Sequence, residues 1–467
     1  MKSNNRPNDP TELAISFIVA LAFFATSAIA EKTIQTKLFD PGYLVGDCNY
    51  HSLNTASDGM LYFSVCTHQT ESSARIYRFN PNDESITQIG DLGNILDEDP
   101  REHIPQGKIH SGLIEHEGYL YFSTHTSFYE GNLPNMTPGD GRKPYTGGHF
   151  MRYNLKTGVF EDLTQIQLAN EGIIAMTVDK TSDTLYGLTW PTGLLISYQL
   201  EEKRLHNWGA TQGRGEWGRL PGEWDFICRK LGIDDKGNLY GSTDTGSIWH
   251  FEKGKQRPLD YLKDLNVAHV APIQKANFET PAEAHFFWNN WRTILWNPDT
   301  QSFWGLQGGS TQLFEFTPTT GVLRSVRSLR PEGVPLDTRR NPFRSQLGFM
   351  LGPDNTLIYL AHAPGIRTEG KSDLKSSVHL LTYRIDTDQF HDHGALVTRN
   401  GRRIFFTESV EIGSDDHIYS VAWVESIDPS NKERIQSARG EAAPDETEDV
   451  IYEMQLIQMP TWQKLFK

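Results

Sequence analysis

The chain has 467 residues, of which 37% are hydrophobic and 11% aromatic, enough for a large buried core and too many for a chain disordered throughout. Its formal net charge of −15 excludes a general nucleic-acid binder, because phosphate binding needs a basic face, although a local basic site on an acidic protein is not excluded. With 40 glycines and 24 prolines the sequence is cut into short pieces, as expected of many strands joined by tight turns.

At the N-terminus a polar segment with Lys2 and Arg6 precedes the apolar run Leu13 to Ala25, which is too short to span a membrane comfortably. Small residues at Ser27-Ala28-Ile29-Ala30 follow, so residues 1–30 read as a signal peptide cut after Ala30. Asp9 and Glu12 offset the positive charge of this segment, which leaves an uncleaved anchor as the alternative. In both cases the remainder, 31–467, is exported: secreted, periplasmic or held at the cell surface. Three cysteines allow at most one internal disulfide, with Cys48 and Cys66 facing each other across adjacent strands, or three buried thiols.

From about residue 40 one pattern recurs. A turn rich in Asp, Gly or Asn leads into a strand with a large aromatic residue: DGMLYFSV with Tyr62, EGYLYFST with Tyr121, SDTLYGLT with Tyr186 and KGNLYGST with Tyr240. It continues as TQSFWGLQ with Trp304, NTLIYLAH with Tyr359 and DDHIYSVA with Tyr419, at spacings of 59, 65, 54, 64, 55 and 60 residues. Each copy is followed by a second strand of alternating apolar and polar residues, such as RIYRFNPND or QLFEFTPTTG, that runs into a turn. Seven units of near-equal length predict an all-β chain folded as a single-domain, seven-bladed β-propeller, which a β-sandwich does not explain. The polar stretch at about 426–447 lies inside the last unit and reads as a mobile loop.

In a propeller the innermost strand of each blade starts at one mouth of the central channel. Counting back from each aromatic places His51, His110, Ala175, Arg229, Arg292 with Thr293, Leu347 with Arg344 nearby, and Glu408 at those starts. The loops leaving the aromatic strands open on the same face and bring His68, His125, Trp190, Asp244, Gln307, His362 and Trp423. A ring of His and Arg with aromatic platforms suits an anionic, hydroxylated ligand, and an acidic sugar has both properties. His51, His110, Trp190, Arg292, Arg344 and His362 are therefore the expected substrate-binding residues.

The units KIHSGLIEHEGYLYFSTH, GGHFMRYNLKTG, LYGLTWPTGLLISY and ICRKLGIDDKGNLYGS resemble blades two to four of the propeller-type polysaccharide lyases. The likeness is nearest to the seven-bladed ulvan lyases and more distant to oligogalacturonate lyase; its specific motifs lie within about residues 105–245. The resemblance implies β-elimination of a uronic-acid polysaccharide, in which a cation neutralises the carboxylate, a base removes the C5 proton and an acid protonates the O4 leaving group. It places the family's two histidines at His125 and His149, and Arg229 as carboxylate partner, with Arg204, Arg214 and Arg219 upstream as alternatives. Where the family carries a tyrosine, this chain has Trp190, which cannot transfer a proton. Tyr145, Tyr129 or Tyr186 takes that role, or His125 acts alone, or catalysis is lost and a Trp platform binds sugar.

No cofactor is required for this chemistry. The strong zinc patterns are absent, but a structural divalent ion, Zn or Ca, held by Cys228, His250, His269 or His285 is an option that spacing does not fix. His391 and His393 follow a strand and are expected to face solvent. Asn135 opens a glycosylation sequon, and there is no Gly-x-Ser-x-Gly elbow, which argues against a serine hydrolase. The expected partner is an acidic polysaccharide, with no nucleic acid, no membrane after signal cleavage, and a monomeric state. Two other classes stay open: a noncatalytic carbohydrate-binding propeller, and a metal-dependent lactonase or hydrolase.

Overall fold

The computed structural model describes residues 32–127, 139–168, 170–213, 215–216, 226–252, 255, 259–270, 289–334, 347–363, 377–430, 432, 434–435 and 451–466. Lys32–Lys467 form one compact unit. The expected signal peptide, Tyr129, Asn135, Arg214, Arg219, His285 and Arg344 lie outside the described residues.

The architecture is an all-β propeller of small antiparallel sheets. Repeats 1 to 5 each form a four-stranded sheet, from Leu53–Thr55, Leu61–Val65, Arg75–Asn80 and Ser85–Asp91 in the first to Trp291–Asn297, Ser302–Gln307, Gln312–Thr317 and Val322–Ser328 in the fifth. The sixth and seventh repeats share a nine-stranded sheet. Its two parts meet at Thr33–Phe39, which runs parallel to Gln389–Thr398 through Thr33 to Thr36 and antiparallel to Tyr452–Thr461 through Lys37 to Phe39. The strand nearest the N-terminus thus completes the last repeat.

All seven aromatic positions fall on the second strand of their repeat and are buried. In three of them the polar tip bonds back to the preceding turn. Tyr62 Oη donates to Asp58 and Tyr419 Oη to Asp415, both at 2.8 Å, and the Trp304 indole N–H donates to Thr300 at 3.2 Å. A turn residue four positions back satisfies the one polar atom that the aromatic would otherwise bury unpaired.

The core is divided among the faces between neighbouring repeats. Leu120 and Met151 of repeat 2 pack with Tyr62 and Ile76 of repeat 1, and Leu357 and Tyr359 of repeat 6 pack with Trp304 and Leu306 of repeat 5. The ring closes where Leu61, Phe63 and Tyr77 of repeat 1 meet Tyr419, Val421 and Leu456 of repeat 7. Burial falls outward within a repeat: the first strand of repeat 3, Gly172–Asp179, is buried at every position, whereas the fourth strand of repeat 1, Ser85–Asp91, is half-exposed to exposed throughout. First strands of adjacent repeats contact one another around the axis, so residues where they begin converge on one mouth.

The stretch expected to be a mobile loop begins as packed structure. Ser426 N–H donates to the Ile451 carbonyl at 2.8 Å and Ile435 is buried; 436–450 lie outside the described residues. Among the described residues no helix is long and apolar enough to cross a membrane.

Candidate functional site

The starts of the first strands bring together His51, His110, Arg229 and Arg292, as the spacing predicts, and add two lysines that the sequence reading passed over, Lys108 and Lys230. Lys108 sits on the short stretch leading to the repeat 2 first strand. Its backbone exchanges two hydrogen bonds with His125, which leaves the second strand of the same repeat (3.0 and 2.8 Å). Both side chains are fully buried.

Four rings run in sequence across this mouth. Tyr50 stacks on His110 at 4.0 Å between centroids, His110 meets His125 edge-on at 5.9 Å, and His125 meets Trp190 edge-on at 5.4 Å. The His125 ring lies against the Gly172 backbone so closely that a Cβ there would stand 1.8 Å from Nδ1. Glycine at 172 is a packing requirement of the histidine.

Burial and neighbouring cations set the protonation of these groups. The pKa of His110 is held well below the usual imidazole range by desolvation and by Arg229, Arg292 and Lys108, and that of His125 by desolvation, Lys108, His110 and Arg229. His51 is shifted the same way by burial, Lys230 and Arg292. Burial also brings Lys108 and Lys230 down to about 8, and burial with Arg229 brings Arg292 to about 10. His110 Nδ1 lies 2.8 Å from the Ile174 carbonyl, which can only accept. The proton is therefore on Nδ1, and Nε2 is the basic nitrogen of the neutral ring.

Glu408 joins the cluster from repeat 7. Its carboxyl accepts from the Asn49 and Tyr50 backbone N–H groups, and burial raises its pKa to about 7 against the lowering effect of those bonds and of Arg292. A carboxyl that holds its proton near neutrality is thus linked to a neutral imidazole through Tyr50, whose N–H it accepts and whose ring stacks on His110.

Arg229 is not an open cation. Its guanidinium donates two bonds to Glu216, at 2.6 and 3.0 Å, and the same carboxylate takes the Trp190 indole N–H at 2.6 Å and the Ile227 N–H at 3.0 Å. Trp190 is 2% exposed, so it is a wall of the cluster and not a platform for a sugar ring. Glu216 comes from a loop without periodicity, and no sequence signal marks it.

His149 and Tyr145 belong to a second group. His149 Nδ1 is 3.1 Å from Asp162, Tyr145 Oη donates to Gln106, and Gln106 and Thr146 donate to Glu98 at 3.2 and 3.0 Å. Glu98 lies 4.0 Å from His149 Nε2. Tyr145 is 1% exposed and its hydroxyl faces this group. Tyr186 is buried between repeats with its pKa raised to about 12 by desolvation. His362 is half-buried, edge-on to Phe406 at 6.2 Å.

Among the described residues, Cys228, His250 and His269, weighed for a structural ion, do not assemble. Cys228 donates its thiol to the Lys230 carbonyl at 3.0 Å, His250 stacks on Tyr240 and lies 3.6 Å from Glu252, and His269 ends a short 3-10 turn. All three cysteines are free and buried, with Cys48 and Cys66 directly opposite each other. His391 is exposed, but His393 is half-buried against Thr382 at 2.7 Å, and burial lowers its pKa to about 4.

No family model and no curated protein matches the chain. Among solved structures, the fold is similar to a Lactobacillus plantarum protein, with a TM-score of 0.50 at 11% identity over 86% of this chain and 99% of that one. It is also similar to the extracellular domain of a hybrid two-component system protein of B. thetaiotaomicron (TM-score 0.49, 14% identity, 83% of this chain and 38% of that one). A second structure of that protein's extracellular domain is likewise spanned to 40% of its length. A periplasmic gluconolactonase of Pseudomonas aeruginosa has a TM-score of 0.43 at 14% identity, covering 75% of this chain and 85% of that one. At these identities the likeness concerns the fold.

Proposed function

We propose that the protein is an exported polysaccharide lyase that binds an acidic, uronate-containing polysaccharide at this mouth and cleaves it by β-elimination. The observation that carries the reading is His110: a neutral imidazole with its tautomer fixed by Ile174, beside Arg292 and linked through Tyr50 to Glu408. Arg292, with Lys108 and Lys230, offsets the uronate carboxylate, a role for which Arg229 is already committed to Glu216. His110 Nε2 takes the C5 proton, the electron pair left behind forms the C4–C5 double bond, and the C4–O4 bond breaks. Glu408, protonated near neutrality, donates to the departing oxygen. His125 holds the His110 ring edge-on. Export rests on the N-terminal leader.

A second reading, a carbohydrate-binding propeller without turnover, is favoured by the absence of a tyrosine hydroxyl from the Trp190 position. Protein from residue 31 onward is mixed with ulvan, pectate, alginate and glycosaminoglycans while the near-ultraviolet absorbance of the 4,5-unsaturated uronate is followed. A rise with one substrate that disappears in His110→Ala and Arg292→Ala supports elimination. Retention of one polysaccharide with flat absorbance for all of them supports the binder instead.

A further inference from the structure

Beside the cationic cluster, at the start of repeat 1, three chemically different side chains converge. Asp47 Oδ1 is 3.0 Å from Cys48 Sγ and 3.0 Å from His68 Nδ1, and the thiol and the imidazole nitrogen are 3.8 Å apart. Among the described residues this is the group of His, Cys, Asp and Glu donors close enough to share one ion. The geometry points to a zinc-class divalent metal site formed by Asp47, Cys48 and His68.

Bond lengths of about 2.0 Å to nitrogen or oxygen and about 2.3 Å to sulfur place the donors of a tetrahedral zinc about 3.2–3.8 Å apart, which these three meet with shifts of a few tenths of an ångström. One thiolate and one carboxylate balance a divalent charge, and a mixed sulfur, nitrogen and oxygen set favours zinc over calcium or magnesium, which take oxygen.

The surroundings hold the donors in place. Asp47 Oδ2 accepts the His68 backbone N–H at 3.1 Å, and the Asp47 N–H is bonded to the Cys66 carbonyl at 2.9 Å. The second nitrogen of His68, Nε2, lies 3.2 Å from the Tyr50 hydroxyl, and a partner of this kind fixes the tautomer that leaves Nδ1 for a metal. Asp47 and Cys48 are buried while the His68 side chain is 45% exposed, so the fourth position opens to solvent. Cys66, opposite Cys48, has its sulfur turned to Ile109, whose N–H donates to it at 3.2 Å, and is left out of the ligand set. This site does not depend on the lyase reading.

The test uses reduced full-length mature protein, with three thiols counted in denaturant, titrated with Co2+ and then with Zn2+. One equivalent of Co2+ producing a sulfur-to-cobalt charge-transfer band, displaced by Zn2+, is the expected result. His68→Ala, at a half-exposed position, and Cys48→Ser, which removes the only thiolate of the set, abolish the one-equivalent band, while Cys66→Ser leaves it intact. A band that survives His68→Ala, a band lost in Cys66→Ser, or no band in folded, reduced protein overturns the assignment. So does a Cys48–Cys66 disulfide in protein as purified that leaves one titratable thiol and no metal uptake after reduction.

Discussion

Arg229 and Glu216 form a two-point ion pair whose side chains are 9% and 4% exposed, with the Trp190 indole hydrogen-bonded to the same carboxylate. The pair ties the loop before the fourth repeat to the second strand of the third. It makes Arg229 part of the frame that holds the mouth together.

Removing either partner leaves the other charge buried, a change that costs about 3–5 kcal/mol. Glu216→Ala and Arg229→Ala are therefore expected to unfold at markedly lower denaturant concentration than the parent protein. Trp190→Phe removes one bond to a charged acceptor and costs less, about 1.5–3 kcal/mol. Urea unfolding followed by circular dichroism ranks the three.

Gly172→Ala is expected to reproduce the functional loss of His125→Ala, because the new Cβ falls within the space of the imidazole ring. The displacement also lowers stability by about 1–3 kcal/mol, as overpacking does. Gly112→Ala, whose Cβ would meet nothing closer than 3.8 Å, serves as control and keeps function. Polysaccharide binding and thermal melting of the three variants decide the matter.

Acid sensitivity follows from the buried histidines. Their folded pKa values lie well below the unfolded value of 6.5, so the unfolded chain binds more protons as pH falls through 6.5 and stability is lost, by up to about 1.4 kcal/mol per pH unit for each of His51, His110 and His125. Glu408 acts in the other direction. Its folded value is raised from 4.5 to about 7, so its contribution is fully present below 4.5 and declines as pH rises through 7. Glu408→Gln is accordingly expected to be more stable than the parent above pH 7, by up to about 3 kcal/mol, with the gain shrinking toward pH 4.5. Unfolding curves measured from pH 4.5 to 8 give both slopes.

Deletion of residues 32–39 is expected to cause self-association. It removes Thr33–Phe39 and bares the edges of Gln389–Thr398 and Tyr452–Thr461 together, and bare edges pair with other chains. Size-exclusion chromatography of the truncated protein should show larger species than the parent protein or aggregate.

The repeat pattern was readable because several of the aromatic residues carry a local partner: Asp58 for Tyr62, Asp415 for Tyr419 and Thr300 for Trp304 lie four residues away in the same turn. Counting from those aromatics also located His51, His110, Arg292 and Glu408, since first strands keep a nearly constant offset from second strands. What sequence order hid were partners brought in by loops. Glu216 reaches Arg229 from a stretch with no period, and Lys108 and Lys230, being next to more conspicuous residues, gave no signal of their own burial. His149 and Tyr145 are near His125 in the chain, yet their side chains bond into a separate group with Asp162, Gln106 and Glu98.

Leu38 lies opposite Ile457, about 420 residues further along the chain. Bringing two such distant points together costs about 5 kcal/mol of chain entropy before any bond between them forms, and contacts of this range are slow to be made. The first strand to emerge must wait, unpaired, for almost the last one. The ring can close only after synthesis is essentially finished.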